Sequence, residues 1–223
     1  MSTVRTRRLP MLGMEGALAR WYTHNRGSAS QLDAYRKQAA SFTDSLSPGA
    51  EILEIAPGPG YFAVELARRG FGITGLDISH SFVEIAAGYA RREGVTVDFR
   101  HGDVAALPFP DGSFDVIVCQ AAFKNFREPV RALNEMHRVL RSDGVAVVQD
   151  MSRDAGTADI RAEVSRMGLS RRDAALTRLA LRALRRRAFS AERFRQLAAA
   201  SDFTTCTVSL DGIGLEVRLT RTS

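Results

Sequence analysis

The stretch Glu51-Ile52-Leu53-Glu54-Ile55-Ala56-Pro57-Gly58-Pro59-Gly60-Tyr61-Phe62, followed by Gly75-Leu76-Asp77, limits most strongly what this chain can fold into. An apolar strand runs into a turn of small residues, a helix follows, and a second strand ends on an acid. That order opens a doubly wound parallel sheet, in which a ligand approaches the backbone of the turn and the acid accepts hydrogen bonds from ribose hydroxyls. Pro57 and Pro59 carry no backbone N–H, so the turn is a poor cradle for a pyrophosphate, which wants converging donors. A cofactor with a ribose and no phosphate fits better.

Two later stretches continue the pattern. The run from His101-Gly102-Asp103-Val104 to Phe114-Asp115-Val116-Ile117-Val118 reads as a loop entering a fourth strand. Residues 131–141, with Leu133, Met136, Val139 and Leu140 at helical spacing, read as the helix before strand five, ended by Ser142-Asp143-Gly144. In this order the motifs resemble the class I S-adenosylmethionine (SAM)-dependent methyltransferases, particularly the small-molecule branch that includes the quinone C-methyltransferases. The likeness covers roughly residues 50–150.

The resemblance implies a cofactor, SAM, and residues to hold it. The family's loop reads acid-x-Gly-x-Gly-x-Gly, and Glu54, Ala56, Gly58 and Gly60 stand at those places. Ala56 departs from the pattern, which suggests that the first loop position has no need of a positive φ. Asp77 is expected to take the ribose, Asp103 the exocyclic amine of adenine, and the Val104 amide a ring nitrogen. Tyr22, Ile78 and Gln120 complete the expected cofactor contacts.

At 223 residues and 45% hydrophobic, the chain can bury a full α/β core and is expected to form one domain. Its expected parts are an N-terminal helical lid (1–47), a cofactor-binding core (50–150), a helical insertion after strand five (151–188), and a closing helix with two strands (189–223). The predicted helices of the lid cover residues 17–22 and 31–46. Strands are predicted near Ile52, Ile73, 95–99, 116–119 and 145–149, then at 204–210 and 214–220 after a helix over 191–200. The expected architecture is a Rossmann-like seven-stranded, mostly parallel sheet with an antiparallel terminal strand. In the insertion, Leu176, Leu179, Ala180, Ala183 and Leu184 share one helical stripe, with Arg178, Arg182, Arg185 and Arg186 mostly opposite.

Composition narrows the partners. The formal charge of +6 invites a nucleic-acid reading. Yet Lys37 and Lys124 are the only lysines, and arginine beside abundant alanine is what GC-rich coding produces, so nucleic acid is disfavoured. Two distant cysteines, Cys119 and Cys206, argue against a disulfide framework and for a reducing, cytoplasmic setting. Arg5, Arg7 and Arg8 precede an apolar stretch that Glu15 and Arg20 interrupt, so neither an export signal nor a membrane partner is expected. The oligomeric state is open, a homodimer included.

Methyl transfer asks the protein for alignment and exclusion of water more than for acid–base groups. The acceptor is expected near the loop after strand four, Gln120-Ala121-Ala122-Phe123-Lys124-Asn125-Phe126. That loop lacks the Asn/Asp-Pro-Pro-Tyr/Phe signature of many amino-group methyltransferases. His24, in the lid near Trp21 and Tyr22, and Lys124 and Asn125, in the acceptor loop, are the catalytic candidates, each set against a surface role. His80, His101 and His137 are read as structural or adenine-side. Asp150 and Asp154 find no partner acid and asparagine, and no zinc spacing exists, so no metal is expected. The reading is methyl transfer to a small-molecule acceptor, at oxygen first and carbon next. Its rivals are an RNA methyltransferase using the arginine-rich insertion and a non-catalytic SAM-binding module.

Overall fold

The computed structural model describes residues 14–222; the basic leader at Arg5, Arg7 and Arg8 lies outside them. Two helices, α1 (Gly16–Arg26) and α2 (Ala29–Thr43), precede β1 (Glu51–Ile55), α3 (Tyr61–Arg68), β2 (Gly72–Asp77), α4 (His80–Arg92), β3 (Asp98–His101) and β4 (Phe114–Gln120). A 3₁₀ turn at Phe123–Asn125 leads to α5 (Pro129–Val139) and β5 (Leu140–Met151). Then come α6 (Thr157–Arg166), α7 (Arg171–Arg187), α8 (Ala191–Ala199), β6 (Thr207–Asp211) and β7 (Gly214–Thr220).

The seven strands form one sheet in the order β3-β2-β1-β4-β5-β7-β6. All pairs from β3 to β5 are parallel, and β7 runs antiparallel to both neighbours. Parallel strands covered on both faces read as continuous apolar runs, and β1 shows why. Ile52 packs with Phe62, Leu66 and Val118 on the α2–α3 face, while Leu53 and Ile55 pack with Ile117, Met136 and Phe194 on the α5–α8 face. Glu54 is the one charged side chain in that buried run. The order reverses at β1 and β4, so the crevice outside their carboxyl ends is where a doubly wound sheet binds its ligand.

Several boundaries differ from the sequence expectation, among them those of α1, α2, β5 and β6, and three differences have a visible cause. The helix before strand five begins earlier, with Pro129 in its first turn, and ends at Val139. Pro129's fixed φ starts a helix, and the strand then opens at Leu140, with Asp143 at φ 64° in an irregular stretch of the β4–β5 ladder. β3 lies at Asp98–His101, because its register with β2 pairs Thr74 with Asp98 and Asp77 with His101. The insertion is two helices broken at Gly168, whose φ is +61°.

The orientation of α7 also differs. Its predicted apolar stripe faces outward: Leu176 and Leu179 are 67% and 66% exposed, and no residue of the helix is buried. The half-buried side carries Ala174, Thr177, Arg178, Leu181 and Arg185, and Arg185 donates to the Ala155 carbonyl at 2.8 Å.

Candidate functional site

The turn after β1 is built from three left-handed residues in alternation, Ala56 (φ 57°), Gly58 (φ 55°) and Gly60 (φ 80°). Ala56 therefore does adopt the conformation expected to be unnecessary there, at a cost of about 1–2 kcal/mol for a residue with a Cβ. The compensation is visible: its N–H donates to the Leu76 carbonyl at 2.8 Å, tying the end of β1 to β2. Gly58 has open space where a Cβ would stand, so a ligand can approach its backbone. Gly60 has none: a Cβ there would lie 2.8 Å from that of Ala86, so this glycine allows α3 to enter close against α4.

Asp77 ends β2, is buried, and organises this turn. Its Oδ2 accepts from the Gly58 N–H at 3.1 Å and its Oδ1 from the Ser79 N–H at 2.9 Å. Burial raises its pKa, and those two backbone N–H groups partly offset the rise. Beyond it Ile78 is exposed, and His80 stacks on His101 with ring centroids 3.5 Å apart. Asp103 is exposed and accepts from the Ala105 N–H at 2.9 Å; Val104 beside it is buried. Glu15, before α1, accepts from the His80 and Ser81 N–H groups at 3.0 Å each, which anchors the N-terminal segment on the first turn of α4.

A cavity of about 700 Å³ opens at the carboxyl ends of β1, β4 and β5. Its inner wall is the turn from Ala56 to Pro59 with Glu54 and Gln120; its outer wall comes from α1 and α2, including Tyr22, Arg26, Tyr35 and Gln38, and from the β6–β7 hairpin. Glu54 is its most perturbed group. Burial, then the nearby charge of Asp77, pushes this carboxyl up to about 8, and its Oε2 is buried without a hydrogen-bond partner. A buried orphan carboxylate oxygen is costly unless a donor meets it. A cation or a strong donor in the cavity would supply what the protein does not.

At the outer end the polar groups form a relay. Glu216 Oε1 accepts from Arg218, and its Oε2 accepts from the Gln149 amide nitrogen at 2.8 Å. That turns the Gln149 carbonyl oxygen toward Gln38 and Gln120, whose amide nitrogens donate to it at 3.1 and 3.0 Å. Because a carboxylate only accepts, the direction of every amide in the chain is fixed. The carbonyl oxygens of Gln38 and Gln120 are left without a partner among the described residues, on side chains that line the cavity.

The residues expected from sequence separate accordingly. Tyr22, Glu54, Ala56, Gly58 and Gln120 line the cavity, and Gly60, Asp77, Ile78, Asp103 and Val104 lie outside its lining. His24 is exposed on α1 and outside the cavity lining. Lys124 is not the solvent-facing side chain its loop suggested: it is buried, and its Nζ lies 2.8 Å from Asp150 Oδ1. Asp150 also accepts from the Lys124 and Met151 backbone N–H groups, so this pair pins the loop after β4 to the end of β5. Asn125 is exposed and accepts from Arg187 at 3.2 Å. Asp154 caps α8 through the Ala191 N–H at 2.8 Å, and His137 packs edge-on to Phe203. Among the described residues, no three of His, Cys, Asp and Glu converge as metal ligands.

Sequence reasoning passed over Gln38, Gln149, Glu216, Arg26 and Tyr35. Gln149 alone left a signal, a long amide closing the buried Val147-Val148 run at the ligand end of a core strand. Of the insertion, Met151 contributes to the lining and α6 and α7 contribute nothing; the hairpin residues Ser209, Asp211 and Ile213 stand there instead.

Comparison with known proteins agrees with this geometry. Residues 53–148 match a family model described as a methyltransferase domain. A demethylmenaquinone methyltransferase of Deinococcus radiodurans is 35% identical over 116 residues, 51% of this chain and 48% of the relative. The chain spans about half the length of the curated relatives it matches. Among solved structures, the cyclase SpnF is 32% identical with a TM-score of 0.51, covering 56% of this chain and 47% of its own. A SAM-dependent methyltransferase from Aquifex aeolicus has a TM-score of 0.68 over 91% of this chain and 98% of its own, at 14% identity.

Proposed function

We propose, from the premise that the core of this chain belongs to the methyltransferase-domain family, that the protein transfers a methyl group from SAM to a small organic acceptor, at oxygen. The carrying observation is the orphan Oε2 of Glu54 in the cavity wall, 3% exposed as a residue and unpartnered. The α-ammonium of SAM is the donor it lacks, and a carboxylate with a cation beside it regains its ordinary acidity. Asp77 would hold the ribose diol, and Asp103 with the Val104 amide the adenine. The bound sulfonium supplies an already activated methyl group. The protein's own part is then to align the acceptor, exclude water and keep the acceptor atom in line with the methyl. Tyr22, α2 and the β6–β7 hairpin form the cover, with 14–47 as its principal segment among the described residues.

The glutamine relay supports oxygen as the receiving atom. Two fixed carbonyl oxygens select a partner with O–H or N–H donors, and the loop after β4 lacks the signature that holds a planar nitrogen. A site built to hydrogen-bond a hydroxyl rejects the analogue without it, because its own acceptors would be left unpaired. SAH-loaded protein (S-adenosylhomocysteine, the demethylated cofactor) is accordingly expected to bind catechol at least about tenfold tighter than 1,2-dimethoxybenzene. Gln38→Leu should erase most of that gap, and wild type should form SAH and methylated catechol in equal amounts. Equal binding of the two probes, or an unchanged gap in Gln38→Leu, would refute the oxygen assignment. The cyclase SpnF shares this fold, so cofactor binding without SAH formation for any acceptor would point to a site that carries other chemistry.

A further inference from the structure

We infer that the outward face of α7 is a docking surface for an anionic lipid bilayer, on which the helix lies flat. Five of the nine large hydrophobic side chains exposed among the described residues fall within 167–184: Met167, Leu169, Leu176, Leu179 and Leu184. A helix that packs on its own domain turns its leucines inward, and α7 turns three of its four outward, Leu181 excepted. It packs against α6 through small and half-buried residues, and it leaves Leu176, Leu179, Ala180 and Ala183 outside.

Charge names the occupant. The helix holds seven arginines against one aspartate, as much formal charge as the +6 of the whole chain. Arg172, Arg182, Arg186 and Arg187 are exposed like the leucines. A second copy docked on this face would set one arginine-rich helix against another, which like-charge repulsion opposes. A nucleic acid would engage the arginines and leave the leucines in water. An anionic bilayer meets both: leucines enter the headgroup–acyl boundary while arginine stems run along it and keep their guanidiniums among lipid phosphates. Each basic residue near such a surface multiplies the partition several-fold. No helix among the described residues is long and apolar enough to cross a membrane, so the contact is peripheral. From sequence alone no membrane partner is expected, since the stripe reads as a face that packs on the sheet domain.

Co-sedimentation of the full chain with vesicles tests this. Binding to vesicles with about 30 mol% phosphatidylglycerol should exceed binding to pure phosphatidylcholine at least about tenfold. It should weaken strongly at about 0.5 M salt, where the Debye length is only a few ångströms. Leu176→Ser/Leu179→Ser should lose about tenfold of the anionic-vesicle binding while circular dichroism and SAH affinity stay as in wild type, since both leucines are exposed and distant from the cavity lining. Equal partition to the two vesicle types, full binding by the double variant, a stable dimer that the double variant dissolves, or RNA binding that outcompetes vesicles would each overturn the assignment. The SAH affinity measured alongside is independent of this face, so its failure would count against the proposed function alone.

Discussion

Asp77→Ala is expected to weaken SAH binding about 100-fold and to lower the stability of the ligand-free protein by about 2 kcal/mol. The first effect follows from charge: a buried carboxylate facing a ribose diol makes charge-assisted hydrogen bonds, and losing them costs more than losing neutral ones. The second follows from the turn itself. Both carboxylate oxygens already accept backbone N–H groups, from Gly58 at 3.1 Å and Ser79 at 2.9 Å, and alanine leaves one part-buried and one buried donor without that partner. Asp103→Ala removes an exposed side chain whose bond is from the Ala105 N–H, and a loss of about tenfold or less is expected there. Calorimetric titration and thermal unfolding of the two variants give the comparison. Wild-type affinity in Asp77→Ala would place the cofactor elsewhere.

Glu54→Gln should separate stability from affinity. Glu54 is held at about 8 in the ligand-free fold by burial and then by the charge of Asp77, against an ordinary value of 4.5. A carboxyl raised in this way binds more protons folded than unfolded between those values. Its stabilising contribution is therefore present below about 4.5 and is lost as pH rises toward about 8. Glutamine does not ionise, so the variant should outlast wild type in the ligand-free state above that pH, by a few kcal/mol at most. Ligand affinity should move the other way. An ammonium paired with Glu54 must drive off its proton, so SAH binding near pH 6.5 should release up to one proton, seen as a buffer-dependent heat. Glu54→Gln should lose that proton release and about 100-fold in affinity. A variant that binds as tightly as wild type, with the same buffer dependence, would remove Glu54 from the cofactor site.

The turn after β1 was legible because its constraints are local. Glu54, Gly58, Gly60 and Asp77 lie within one strand–turn–helix–strand unit, and backbone conformation there restricts residue type directly. Ala56 escaped that logic, since a hydrogen bond to Leu76, twenty residues away, offsets part of its Cβ strain. The polar relay at the outer end of the cavity, Gln120 apart, was illegible for the opposite reason. Gln38, Gln120, Gln149 and Glu216 come from α2, β4, β5 and β7, and only the sheet order brings them together. Lys124 misled because a loop lysine reads as solvent-facing, while its partner, Asp150, stands at the end of the neighbouring strand. The direction in which α7 turns its stripe is set by packing against α6, and a periodicity of 3.6 finds a face without saying where it points.

The most direct measurement is a calorimetric titration of the purified chain with SAH and, separately, with NAD. The turn offers Pro57 and Pro59 where a pyrophosphate wants N–H donors, while Asp77 and the unpartnered Oε2 of Glu54 suit a ribose and an ammonium. SAH should bind at least about 100-fold tighter than NAD, a difference of about 2.7 kcal/mol. Equal or tighter binding of NAD would contradict the account at its centre.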